Sequence, residues 1–311
     1  MEKLNLNSPH FSDEDKARKY LEDLRWPNGP ECPHCGTIGE HYQIIGKASS
    51  KQSARKGLWK CHKCRKQFSV TVGTIFEGSH LPLNKWLSAI YLLCSSKKGM
   101  SANQLHRGLE ITYKSAWFMA HRIRHAIADL SNMKLTGIVE ADETYVGGKA
   151  KRSGLTGRTT KKKTPVFSLV ERNGNVKSQT VVRVTGANLK SIIKEKVDKS
   201  ATIMTDDFFS YRGLKKDFVD HQVVKHGQRE YVRGNVHTNT IEGYFSILKR
   251  GIIGIYHHVG KQHLHRYLAE FDFRYNGRKT LDAENTNRAI ICSKGKRLMY
   301  RESVASGNMT N

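Results

Sequence analysis

Gly137-Ile138-Val139-Glu140-Ala141-Asp142 is the stretch on which the fold turns. Its apolar and β-branched residues read as a strand, with Asp142 at its end. Downstream, residues 166–171 and 176–184 read as a hairpin around Asn173-Gly174, a strong turn signal. Residues 189–197 then space apolar positions as a helix does, and 201–205 return to a strand that Asp206 closes. Three strands, a helix, a fourth strand and later helices describe an α/β domain, a mixed sheet flanked by helices, over residues 136–280.

The acids of this domain stand out because the chain is so basic. Asp142 and Asp206 sit at strand ends, and Glu242 lies on a predicted helix over 240–250. On that helix Ile241, Tyr244, Phe245 and Leu248 form the apolar stripe, which leaves Glu242 free to face a groove. Three converging carboxylates would repel unless cations sat between them, and oxygen ligands suit Mg²⁺ or Mn²⁺. Two such ions support in-line phosphoryl transfer on a phosphodiester. Lys249 is two helical turns, about 10 Å, beyond Glu242, where a phosphate would run. Solvated acids that end strands and cap helices are the competing reading of the same residues.

Upstream, residues 12–24 read as a helix capped by Ser12 and stopped at Trp26-Pro27, closing an N-terminal helical segment over 1–28. Next come Cys32-Pro33-His34-Cys35 and Cys61-His62-Lys63-Cys64, two C-x-x-C knuckles separated by 25 residues. In a reducing compartment that duplication predicts one structural Zn²⁺ on four thiolates and a small zinc ribbon over 29–70. His34, His41 and His62 are the substitute ligands. Cys94 and Cys292 read as buried apolar thiols.

Residues 80–132 read as helices: 83–93, then 101–109, a short turn at 110–112, and 113–131. The last two have the outline of a helix-turn-helix whose second helix offers Lys114, Arg122 and Arg124 to a DNA major groove. An ordinary helical hairpin with a packed core is the alternative.

The 311 residues hold 53 Lys plus Arg against 28 Asp plus Glu, a formal charge of +25. Such an excess argues for a polyanionic partner, nucleic acid first. With 38% hydrophobic residues the chain can build a real core. No run approaches the ~18 apolar residues of a membrane span, and Met1-Glu2-Lys3-Leu4-Asn5 lacks a signal-peptide core, so a cytoplasmic protein with no membrane partner is expected. Residues 149–163 carry seven basic residues and no acid. Lys149, Lys151, Arg152, Lys161, Lys162 and Lys163 are candidate phosphate contacts there, as is Arg250 beside Lys249, a solvated loop being the alternative. Residues 281–311 form a basic C-terminal segment.

The ordered motifs resemble a known family. Cys32-x-x-Cys35 to Cys61-x-x-Cys64, Gln67-Phe68-Ser69-Val70-Thr71-Val72-Gly73-Thr74-Ile75-Phe76, Val139-Glu140-Ala141-Asp142-Glu143-Thr144-Tyr145-Val146-Gly147-Gly148-Lys149, Thr205-Asp206 and His237-Thr238-Asn239-Thr240-Ile241-Glu242 look like an ISXO-type insertion-sequence transposase. Gly251-Ile252-Ile253-Gly254 and Phe271-Asp272-Phe273-Arg274-Tyr275-Asn276 match as well, so the resemblance covers roughly residues 12–280. It implies a ribonuclease-H-like DDE catalytic domain, two-metal DNA cleavage and strand transfer, and binding of double-stranded DNA at terminal inverted repeats and at the target. It places the catalytic residues at Asp142, Asp206, Glu242 and Lys249, with Asn239 competing with Glu242 as third metal ligand. A homodimer or larger assembly on DNA, nucleoid-associated in a bacterium, is expected. A non-catalytic DNA-binding regulator and a structure-selective nuclease that cuts without joining are the rival functions.

Overall fold

The computed structural model describes residues 5–45, 56–128, 133–147, 163–228 and 230–301. Within it the chain forms two compact units. Of the described residues, one takes those up to Ser96, Met100–Ile127 and 280–301; the other takes Lys97–Gly99 and those of Ala128–Lys279.

The first unit opens with α1 (Glu14–Arg25), whose buried Ala17 and Leu21 lie one turn apart. Its cap is Asp13 rather than the expected Ser12, the Asp13 carboxylate accepting from the Lys16 N–H at 2.8 Å. The ribbon is a three-stranded antiparallel sheet of β1 (His41–Gln43), β2 (Trp59–Cys61) and β3 (Gln67–Phe68) in sequential order. Three helices follow: α2 (Leu83–Ser95), α3 (Ala102–Leu109) and α4 (Tyr113–Ala126). Ser101 and Gln104 close a reciprocal capping box on α3, and Glu110 takes a left-handed conformation (φ 51°) that turns the chain into α4. α4 ends five residues earlier than its sequence pattern predicts.

The second unit is built on a five-stranded sheet: β4 (Ile138–Val146), β5 (Thr164–Glu171), β6 (Val176–Thr180), β7 (Thr202–Asp206) and β8 (Asp220–Val224). Its order is β6-β5-β4-β7-β8; β4, β5 and β6 pair antiparallel, while β7 and β8 run parallel to β4. This is the ribonuclease-H-like arrangement. Between β6 and β7 the crossover helix α5 (Gly186–Lys196) covers one face, packing Leu189 and Ile193 on Val139, Ala141, Phe167, Leu169 and Ile203. The opposite face carries α6 (Asn239–Gly251) and α7 (Leu264–Asn276), whose Ile241, Tyr244, Leu248, Leu268 and Phe271 pack on Val146, Val166, Val170 and Val176. Strand alternation therefore sends Glu140 and Asp142 to the α6 face and their neighbours Val139 and Ala141 to the α5 face.

Three features differ from the sequence pattern. β4 continues four residues past Asp142, because β5 goes on pairing with it as far as Val146 opposite Thr164. β8 is a fifth strand, only half-buried along most of its length, which blurs its alternation. β6 stops at Thr180 rather than 184, and side chains of α7 satisfy its N-terminal backbone: Asn276 Oδ1 accepts from Val176 N–H at 2.7 Å, and Asp272 Oδ2 from Ser178 N–H at 2.7 Å. The predicted turn at Asn173-Gly174 is present, with Asn173 at φ 61°.

The C-terminal segment contributes one more helix, α8 (Asp282–Ile291), which belongs to the first unit. There Tyr20 of α1 donates to Asn287 Oδ1 at 2.5 Å. No helix among the described residues is long and apolar enough to cross a membrane.

Candidate active site and zinc site

The four ribbon cysteines come together. Their sulfurs all lie within 4.8 Å of one another, with Cys32 Sγ to Cys64 Sγ at 3.7 Å and Cys35 Sγ to Cys61 Sγ at 3.6 Å. Those separations are far beyond a disulfide bond and close to the roughly 3.8 Å edge of a tetrahedron with Zn–S bonds of about 2.3 Å. Both knuckles are built alike. Gly36 N–H donates to Cys32 O at 2.9 Å and Arg65 N–H to Cys61 O at 3.0 Å, with Gly36 and Arg65 both left-handed, at φ 72° and 60°. The substitute ligands are otherwise engaged where contacts exist: a ring nitrogen of His41 lies 2.8 Å from Thr37 O, and one of His34 lies 3.3 Å from Gln67 O. The donor set and its spacing fit Zn²⁺.

In the second unit the register sets the acids. Glu140 of β4 is paired with Met204 of β7, where the parallel register ends, and Asp142 and Asp206 each follow two residues further along their strands, close enough for the charge of Asp206 to act on Asp142. Glu242 stands in the first turn of α6, which covers the same face, and Thr238 Oγ1 donates to it at 3.1 Å. The charges of Asp206, Glu242 and the adjacent Glu143 all act on Asp142. Burial first, then these like charges, push its carboxyl up to about 7. Among the described residues the acids form no ligand cluster like that of the four cysteines. Their chemistry is that of hard oxygen donors suited to Mg²⁺ or Mn²⁺.

Two groups at this site escaped sequence reasoning. Glu143 accepts a hydrogen bond from Tyr211 Oη at 2.5 Å, and its carboxyl too is raised, by burial and then by Asp206. Tyr211 is held well above its ordinary range by burial and by Glu143, Asp142 and Asp206. The signal available in sequence was the Asp-Glu doublet; nothing there points to a tyrosine 68 residues away.

The remaining candidates divide by exposure. Lys249 and Arg250 are exposed at the far end of α6, and Asn239, which opens that helix, is exposed as well. Lys114 is exposed in the first turn of α4, its ammonium 4.7 Å from the centre of the Tyr300 ring. Arg122 and Arg124, expected to face DNA, are instead buried at 4% and 2% exposure. Arg122 donates to Glu77 O at 2.6 Å and lies over the Trp86 and Phe118 rings, so it holds helices together and offers nothing to a groove. Lys163 is half-buried at the entry to β5, while Lys149, Lys151, Arg152, Lys161 and Lys162 lie outside the described residues.

Comparison with known proteins is consistent with this geometry. Residues 134–276 match the ISXO2-like transposase domain and residues 12–67 the transposase zinc-ribbon domain. The chain is 31% identical over 284 residues to an uncharacterized protein in transposable element ISH50 of Halobacterium salinarum, covering 85% of this chain and 91% of that relative. A crystal structure of the Mos1 strand transfer complex aligns over 68% of this chain and 79% of that one, at 12% identity and a TM-score of 0.24, too slight a likeness to carry an argument.

Proposed function

The chain belongs to the ISXO2-like transposase family, and from that premise we propose that it binds the ends of its own mobile element, cuts the DNA there and joins the freed 3′ ends to target DNA. The observation that carries this reading is geometric: Asp142 and Asp206 lie on adjacent parallel strands and Glu242 in the first turn of the helix that covers the same face, with the charges of the latter two acting on Asp142. Asp142, Asp206 and Glu242 would hold two Mg²⁺ or Mn²⁺ ions. When bound, such ions supply the positive charge that activates a water or 3′-hydroxyl and stabilises the leaving oxygen. The protein's own contribution is placement. The sheet fixes two carboxylates on adjacent parallel strands, α6 carries the third, and Lys249 at the end of that helix binds the phosphate alongside.

Exposed Lys114 at the start of α4, Arg250 and the basic run 149–163 supply further phosphate contacts on double-stranded DNA, both at the terminal inverted repeats and at the target. We read the acting form as a homodimer or larger assembly formed on DNA in the cytoplasm. The test is cleavage of a labelled duplex carrying an element end in the presence of Mg²⁺ or Mn²⁺. Wild-type protein is expected to nick and join, and Asp142→Ala to bind the duplex without cutting it. A variant that still cuts at the wild-type rate overturns the site. Wild-type protein that binds ends yet cuts under neither ion is a regulator.

A further inference from the structure

Glu140 lies two residues before Asp142 on β4 and is wholly buried. A carboxylate is costly to bury unless it is paired and hydrogen-bonded, so its partners show its purpose. Oε1 accepts from Arg172 Nε at 2.6 Å and from Thr240 Oγ1 at 2.8 Å, and Oε2 accepts from the Ile241 backbone N–H at 2.9 Å. The last two bonds fall in the first turn of α6, whose N-cap Thr238 makes no side-chain capping bond of its own. Glu140 thus caps that helix from the sheet, with a negative charge at the positive end of its dipole.

Arg172, just past the end of β5, extends the hold. It donates to Asn235 O at 2.7 Å and to His237 O at 2.8 Å, in the segment that leads into α6. Its Nη2 also reaches Met204 Sδ on β7 at 3.3 Å. The pair of buried Glu140 and half-buried Arg172 therefore touches all three elements that bear a candidate metal ligand, just upstream of each: Glu140 two residues before Asp142, Met204 two before Asp206, and Ile241 one before Glu242. An apolar pair of equal volume could fill this space, but it would leave the Ile241 N–H without its acceptor and would fix neither the helix end nor its register.

We propose that the Glu140–Arg172 pair is the positioning device of the metal site, holding the first turn of α6 so that Glu242 is presented to Asp142 and Asp206. This rests on the reading of those three acids as the metal ligands. The test uses zinc-loaded full-length protein, with Mn²⁺ binding followed by the loss of the free-ion EPR signal and end cleavage measured across Mn²⁺ concentration. Glu140→Gln should keep its circular dichroism spectrum and DNA affinity but bind Mn²⁺ about tenfold or more weakly, with the Mn²⁺ requirement for cleavage rising in parallel and added Mn²⁺ restoring much of the rate. Thr240→Val, which removes a single arm and no charge, should shift Mn²⁺ affinity in the same direction by about threefold, and it decides the matter if Glu140→Gln does not fold. Ile193→Val, a core change on the α5 face, should lower stability without moving Mn²⁺ affinity.

Unchanged Mn²⁺ binding in both Glu140→Gln and Thr240→Val, beside a loss in Asp142→Asn, overturns the positioning role and leaves the site standing. An equal loss in Ile193→Val overturns it too, as a mere stability effect. An Asp142→Asn protein that binds Mn²⁺ and cuts like wild type removes the site itself.

Discussion

Asp142 shows how a residue suited to binding a cation weakens the fold that holds it. Its carboxyl is raised to about 7 against an ordinary 3.8, chiefly by burial. Below about pH 4 the group is protonated in folded and unfolded chains alike and costs nothing. Between about pH 4 and 7 the unfolded chain ionises the group while the folded chain keeps its proton, a cost that grows to roughly 4 kcal/mol at most and stays constant above pH 7. Asp142→Asn should therefore raise the melting temperature at pH 8 in buffer free of added divalent ions, and by much less at pH 5. Mg²⁺ should stabilise the wild type at pH 8 and leave the variant almost unmoved, as scanning calorimetry would register. Arg122 and Lys114 provide the opposite pairing of burial and role. Arg122→Ala removes a bond to Glu77 O and a cation–π contact and should cost about 2–3 kcal/mol in denaturant unfolding. Lys114→Ala should leave stability within about 0.5 kcal/mol and weaken DNA binding in a filter assay.

The ribbon and α7 are elements whose stability comes from elsewhere than their own length. Strands of three, three and two residues cannot hold a sheet in water, so the four thiolates and their ion must supply what a core would. Each chain should carry one equivalent of zinc by elemental analysis. Chelation or Cys61→Ser should expose the ribbon to protease, while the cores on both faces of the five-stranded sheet, which contain no ribbon residue, keep their melting transition. Helix α7 does for β6 what a sixth strand would, satisfying backbone groups at Val176 and Ser178 through Asn276 and Asp272. Asp272 also accepts from Tyr244 Oη of α6 at 2.5 Å, so the same carboxylate joins the sheet edge to the helix bearing Glu242.

At the scale of the whole molecule the net charge of +25 is the dominant property. Each phosphate neutralised releases counterions, and log K for a DNA duplex should fall linearly with log salt, with a slope of about 0.9 per contact. Replacing Lys161, Lys162 and Lys163 together by Ala should lower that slope by about 2–3 if all three reach phosphates, and by nothing if they are merely solvated. Arg122 and Arg124 should not enter this count, because their charge is enclosed within the first unit.

Much of this organisation is local and was readable along the chain. The paired C-x-x-C knuckles, the Asn173-Gly174 turn, the succession from β4 through α5 to β7 and the positions of Asp142, Asp206 and Glu242 along the chain follow from spacing, periodicity and motif, each a property of neighbouring residues. Burial and pairing are not local. Whether Arg122 meets DNA or Trp86, whether Glu140 is a surface acid or the cap of a helix 100 residues away, and whether Tyr211 reaches Glu143 depend on contacts between distant segments. The same holds for β8, whose partner lies on another strand, and for α8, which returns to the first unit. A charged side chain has one chemistry in water and another against a carboxylate in a dry interior, and folding assigns each residue to one or the other.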